Sequence, residues 1–109
     1  MAANSQVACA DVAEQLRRAI RGEVAICVHP DSWTWDETYC GDVLFVVGDW
    51  KIAFFSDCDE LDYCSDVDTP DGRHAEFDDW WTECDAEPTM LLVPDELAAL
   101  DRLLRVAKR

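Results

Sequence analysis

Cysteine and histidine side chains are the groups in this chain best suited to bind a metal or to act as nucleophiles. The 109 residues include six Cys and two His, and Cys58, Cys64, His74 and Cys84 could supply four zinc ligands. Structural zinc sites usually contain pairs of ligands about two to four residues apart, and this set has no such pair. Neighbouring carboxylates also disfavour the thiolate that nucleophilic catalysis requires. We expect reduced, buried or half-buried thiols, with a small Cys/His metal-binding domain or an occasional disulfide as the alternatives.

Carboxylates are the second group that could carry chemistry. Asp66, Asp68 and Asp71 begin like a calcium-binding loop, but Pro70 takes the fifth position and Phe77 takes the twelfth, where a bidentate glutamate is required. Among 24 acids, pairs of carboxylates arise by chance, and a domain of this size has little room for the substrate cleft of a glycosidase. We therefore expect neither an enzyme nor a bound metal or other cofactor.

The net charge of −15, from 24 acids and nine bases, indicates the sign of the charge that a partner's surface carries. Thirteen of the acids lie in residues 57–87, here called the acidic segment, in which Arg73 is the only base. This charge exceeds what solubility requires, and it repels phosphates. Direct binding to nucleic acid or to an anionic membrane surface is therefore excluded, and the predicted partner is a basic protein surface.

Hydrophobic spacing predicts a helix near each end of the chain. Val12, Leu16 and Ile20 recur at a spacing of four residues within 6–21, and Gly22 is suited to end that helix. The second helix begins at Pro94, a residue favoured in the first turn, and continues with a stripe of leucines. Residues 78–90 are expected to form a loop anchored by aromatic side chains.

Strands are predicted between the two helices. Residues 24–28 form one short strand, and residues 42–47 and 50–55 form a hairpin about Gly48 and Asp49. A second hairpin covers residues 61–77 and turns at residues 69–72, a Pro-containing segment that ends in Gly. In residues 57–68, acids interleave with apolar residues, which predicts one inward face and one acidic face. The chain is thus predicted to be a single α+β domain, residues 1–109, with an antiparallel β-meander of four or five strands and both helices on one face.

The expected location follows from the same sequence. No apolar run is long enough to span a bilayer, and the N-terminus lacks the basic start and apolar stretch of a signal peptide. We expect a cytoplasmic protein, in which thiols stay reduced. An unpaired sheet edge or a patch of tryptophans could support a homodimer.

A sequence motif links the chain to other proteins. Residues 57–64 read DCDELDYC, and they are followed by PDGR at 70–73 and EFDDW at 76–80. This pattern resembles a family of short bacterial proteins of unknown function, in which a similar stretch lies between an amphipathic helix and a leucine-rich one. In size and charge the chain is also similar to small phage-borne inhibitors such as anti-CRISPR proteins, several of which present acidic, duplex-like surfaces. The family resemblance implies no activity and no site residues.

Two tryptophan pairs flank the most acidic part of the chain. In Trp33 and Trp35, and in Trp80 and Trp81, we expect at least one residue of each pair to be buried. The other could serve as an apolar anchor for a partner, since tryptophan is enriched in binding hot spots.

The preferred hypothesis is a non-catalytic acidic protein that blocks a basic nucleic-acid-binding surface of a partner by mimicking nucleic acid, as an anti-CRISPR inhibitor would. Its acids would replace phosphates and steer association. An immunity protein or antitoxin for a basic nuclease toxin would use the same electrostatics and is the alternative. The predicted partner-binding residues are Asp57, Asp59, Glu60, Asp62, Asp66, Asp68, Glu76, Asp78, Asp79, Trp80 and Trp81.

Overall fold

A five-stranded antiparallel sheet, with its strands in chain order, forms the framework of the protein. The structure is a computed structural model, and it describes residues 7–109. The strands are β1 (Ile26–Val28), β2 (Cys40–Val47), β3 (Trp50–Asp57), β4 (Glu60–Asp68) and β5 (His74–Glu76). The helices are α1 (Cys9–Ile20), α2 (Phe77–Cys84) and α3 (Pro94–Val106), and a 3₁₀ turn (Pro88–Leu91) lies between the last two.

One hydrophobic core lies between the sheet and the helices α1 and α3. Leu16 of α1 and Leu104 of α3 are fully buried in the same cluster as Phe45 of β2 and Phe54 of β3. The α+β prediction, with both terminal helices on one face of the meander, is confirmed. Residue 6, the predicted start of the first helix, lies outside the described residues.

Turn chemistry explains why the strands pair as they do. Gly48 has a φ of 65°, which a two-residue hairpin turn requires, and the predicted hairpin between β2 and β3 is confirmed. The predicted hairpin between β4 and β5 is confirmed as well. The turn between β3 and β4 was not predicted: Cys58 and Asp59 both adopt positive φ values, 53° and 74°, without a glycine.

The prediction of a loop over residues 78–90 is wrong. Residues Phe77–Cys84 form α2, and Asp79 caps its first turn by accepting a hydrogen bond from the Glu76 amide at 3.0 Å. The helix is too short to show a repeating hydrophobic pattern, so it was missed. Trp80, on its inner side, is fully buried.

Among residues 7–109, no helix is both long and apolar enough to cross a membrane.

Candidate functional site

The face of the sheet opposite α1 and α3 carries side chains in three rows that run across the strands. Strand register defines the rows: Asp42, Phe55 and Tyr63; Leu44, Ala53, Asp66 and Glu76; Val46, Lys51, Asp68 and His74. All of these residues except Ala53 retain solvent exposure, so we call this surface the open face. Sheets with one solvated face usually place scattered polar residues there.

Four aromatic rings form a continuous strip along one end of the open face. Phe55 stacks on Tyr63 with ring centroids 5.2 Å apart and planes 11° apart. The ring centroids of Tyr63 and Phe77 of α2 are 4.6 Å apart, and those of Phe77 and Trp81 are 5.8 Å apart. This aromatic strip (Phe55, Tyr63, Phe77 and Trp81) is half-buried and contributes no residue to the core cluster.

Of the second tryptophan pair, Trp81 lies in the aromatic strip, whereas Trp80 lies in the core. The Trp80 indole N–H donates to the Val7 carbonyl at 3.0 Å, and the side chain has no exposed surface. The prediction of Trp80 as a surface anchor is therefore wrong. The expectation that one member of each pair is buried is confirmed, because Trp35 is also fully buried while Trp33 is exposed.

A groove of about 440 Å³ lies beside the aromatic strip. Four carboxylates line it, from Asp42, Asp66, Glu76 and Asp78, together with Ser65 and the rings of Phe55, Tyr63 and Phe77. No lysine or arginine belongs to the lining of this open-face groove.

A side-chain hydrogen bond between two strands that are not neighbours lies in the groove. The Ser65 hydroxyl of β4 donates to the Asp42 carboxylate of β2 at 2.8 Å, although β3 runs between them. Ala53 is the β3 residue of the middle row, and its small side chain is fully buried on a face that is otherwise exposed. A larger residue at Ala53 would fill the space over β3.

Two groups that line the groove, Asp66 and Tyr63, have raised pKa values. Partial burial raises the pKa of Asp66, and the negative charges of Asp68 and Asp42 add to this rise, while His74 and Lys51 oppose it. Burial also raises the pKa of Tyr63, with contributions from Asp42, Asp62 and Asp78. Burial is thus the main cause of both shifts, and the neighbouring carboxylates add to it because each group resists acquiring a further negative charge.

Several of the predicted acids form ion pairs with basic side chains of the same protein. Asp59 forms an ion pair with Arg105 of α3 at 3.0 Å, which places it on the helix side of the molecule. Asp68 contacts Lys51 at 3.6 Å and His74 at 2.8 Å, and Glu76 contacts the other nitrogen of His74 at 3.3 Å.

The remaining predicted acids differ in position. Asp66 and Asp78 line the groove, whereas Asp57, Glu60 and Asp62 are exposed at the end of the sheet near the turn between β3 and β4. The acidic segment therefore does not form one surface. Its charge is divided between the open face, the β3–β4 turn and internal contacts.

A family of domains described as a domain of unknown function (DUF7693) matches residues 6–106. The chain belongs to this family. Comparison with curated proteins and with solved structures gave no match. The predicted membership of an uncharacterised family is thus confirmed, while the likeness to anti-CRISPR inhibitors stays a prediction.

Of the eight residues that line the groove of this DUF7693 protein, the sequence predicted three and missed five, Ser65 among them. Asp42 lies outside the acidic segment, and Phe55, Tyr63 and Phe77 were not singled out. The Gly48–Asp49 turn places Asp42 opposite Phe55, so the register of the first hairpin could have paired these two residues. The positions of Tyr63 and Phe77 depend on the unpredicted turn at Cys58 and on α2.

The cysteines of this DUF7693 protein do not converge on one site. Cys58 is at the β3–β4 turn, whereas His74 pairs with Asp68 at the opposite end of β4. Within residues 7–109, no group of three or more Cys, His, Asp and Glu side chains is arranged to hold a metal ion. Cys64 is buried as predicted, but the prediction is wrong for three thiols that are exposed: Cys40, Cys58 and Cys84.

Proposed function

We propose that this protein is a non-catalytic binding protein that uses its open face to occupy a basic nucleic-acid-binding surface of a partner protein. The observation that carries the proposal is the open-face groove, in which four carboxylates converge without a lysine or arginine. Three of them lie on strands of the sheet and Asp78 lies in the first turn of α2, so regular secondary structure presents all four and little backbone conformational entropy is lost when a partner binds.

The charge of the groove can be compared with that of nucleic acid. Duplex DNA carries about one charge per ~1.7 Å of its axis, so the four groove carboxylates correspond to roughly 7 Å of duplex. Long-range attraction to a basic surface would accelerate association and would weaken as salt rises.

Two biological settings fit this activity. One is an inhibitor of a bacterial defence complex, of the anti-CRISPR kind, which competes with nucleic acid for a basic channel. The other is an immunity protein or antitoxin that covers the basic surface of a nuclease toxin. The partner's identity separates the two settings.

Two charge-matched variants test the proposal. The groove variant carries Asp42→Asn, Asp66→Asn and Asp78→Asn. The helix-side variant carries Asp11→Asn, Asp36→Asn and Asp95→Asn, which are exposed positions on α1, the loop near α3, and α3 itself. Each variant removes three negative charges, so a difference between them reports position and not net charge.

The experiment captures partners from nuclease-treated bacterial lysate on each immobilised protein, identifies them by mass spectrometry, and repeats binding with the purified partner. We expect the wild type and the helix-side variant to retain the same nucleic-acid-binding protein, and the groove variant to lose it. Duplex DNA should compete with the wild type for that partner. Equal capture of the partner by both variants would contradict the proposal. So would a partner that binds duplex DNA and this protein at the same time.

A further inference from the structure

We propose that the open-face groove is a receptor for an arginine side chain of the partner, whose guanidinium group lies on the aromatic strip between the groove carboxylates. This inference rests on the proposed function and specifies which residue of a basic partner the protein recognises. It is carried by the juxtaposition of rings, carboxylates and cavity on one exposed surface.

The aromatic strip distinguishes the groove from a merely solvated acidic face. Solubility requires charge but not a row of half-exposed rings, and Tyr63 contacts a ring on each side, Phe55 at 5.2 Å and Phe77 at 4.6 Å. Ring faces attract cations, and a planar guanidinium stacks on them more effectively than an ammonium group does.

The arrangement of the groove carboxylates suits a planar, multi-donor cation better than a single metal ion. Asp42, Asp66 and Asp78 form no ion pair with any lysine or arginine of residues 7–109, although all three line the groove. Among the residues that the structure describes, no three Cys, His, Asp or Glu side chains are arranged to hold a metal ion. A guanidinium group instead offers five donors in one plane, which can reach separate carboxylates at the same time.

The protein already contains this combination within its own fold. Arg105 lies 5.9 Å above the centre of the Trp35 ring, and it forms ion pairs with Asp59 at 3.0 Å and Asp101 at 2.9 Å. A ring and two carboxylates thus hold one arginine on the helix side. The open-face groove offers the same set of groups, and its lining contains no cation.

The test compares two peptides of equal charge, hexa-arginine and hexa-lysine, by titration against the full-length protein. Tyr63→Leu removes the central ring, and Trp33→Leu removes an exposed ring from the loop between β1 and β2 as the matched control. We expect hexa-arginine to bind the wild type and Trp33→Leu about three- to fivefold more tightly than hexa-lysine. In Tyr63→Leu, this preference should disappear.

A measurement on the wild type keeps the inference falsifiable if Tyr63→Leu unfolds. In NMR spectra, hexa-arginine should shift the signals of Tyr63, Phe77 and Asp66, and leave those of Asp36 and Asp95 unchanged. Equal affinity for both peptides, or shifts spread over the whole surface, would overturn the arginine receptor. If the groove variant still binds both peptides more weakly than the helix-side variant, the proposed function survives that result. If the two charge variants bind equally, both proposals fail.

Discussion

The carboxylate of Glu87 accepts a hydrogen bond from the backbone amide of Cys64 at 2.9 Å. The same oxygen accepts the Thr89 amide at 3.0 Å, and the second oxygen accepts the Thr89 hydroxyl. Glu87 is 3% exposed, so one of the thirteen acids of the acidic segment lies inside the protein and joins the 3₁₀ turn to β4.

Replacement of Glu87 by Gln should therefore destabilise the fold. The amide side chain carries only one acceptor oxygen, so at least one buried donor loses its partner, and the charge-assisted character of the bonds is lost. We expect a loss of about 2 kcal/mol in the free energy of unfolding, measured by urea denaturation. Glu60→Gln makes the same chemical change at an exposed position and should shift the stability by less than about 0.5 kcal/mol. Equal effects would contradict the structural role of Glu87.

Periodicity and turn chemistry were sufficient to predict most of the fold. The helices α1 and α3 show long hydrophobic stripes. Gly48 marks a hairpin turn, which fixes the pairing of the two strands beside it. The helix α2 has eight residues, too few for a stripe, and its capping by Asp79 depends on a side-chain contact that spacing alone does not show.

The candidate site was less predictable than the fold for a physical reason. Charge counts locate acids in the sequence, but burial and ion pairing decide which charges reach the surface. Glu87 is buried, Asp59 is paired with Arg105, and Asp42 joins the groove from a different strand. Such outcomes depend on contacts between residues far apart in the chain.

Asp66→Asn should stabilise the protein at neutral pH. The pKa of Asp66 is raised above its ordinary value of 3.8, mainly by burial and then by Asp68 and Asp42, so its ionised form disfavours the folded state. This cost is absent below the unfolded pKa, grows as the pH rises through the folded pKa, and is constant above it.

Urea denaturation near neutral pH and again below pH 3.8 checks this sign. The variant should have the higher midpoint at neutral pH, and the two proteins should have equal midpoints in acid. Asp36→Asn removes the same charge from an exposed loop and should show a smaller gain. A lower midpoint for Asp66→Asn at neutral pH would refute the prediction.

The pKa of His74 should fall in an Asp68→Asn variant. Partial burial lowers the pKa of His74, but hydrogen bonds with Asp68 and Glu76 outweigh this effect and raise it above 6.5. The charged imidazole therefore stabilises the fold below the unfolded pKa, and this contribution disappears as the pH rises through the folded pKa. Because His74 is partly exposed, its effect on stability is small, and the NMR titration of its ring protons is the sensitive measurement. An Asp36→Asn variant should leave that titration unchanged; an unchanged titration in Asp68→Asn would contradict the assigned contact.

The six thiols should separate by their rates of reaction with an aromatic disulfide reagent. Three of them, Cys40, Cys58 and Cys84, are exposed and should react first. Burial raises the pKa of Cys64 well above its ordinary value, and burial together with Cys84 raises that of Cys9 to about 12. These two should react only when urea unfolds the protein, because the thiolate is the reactive form. Replacing Cys40 by Ser should remove one thiol from the fast phase, and rapid reaction of all six would contradict the burial.

The turn between β3 and β4 should respond in opposite directions to two substitutions at Cys58. Its φ of 53° is strained for most side chains, whereas Asn adopts such values more readily, and β-branched residues do so least. We expect Cys58→Asn to raise the free energy of unfolding by about 0.5 kcal/mol and Cys58→Val to lower it by about 1 kcal/mol or more. Both side chains lie at an exposed position, so lost packing does not explain a difference between them. Equal stability of the two variants in thermal unfolding would show that the turn adopts another conformation, and the register that places Tyr63 beside Phe55 would then need revision.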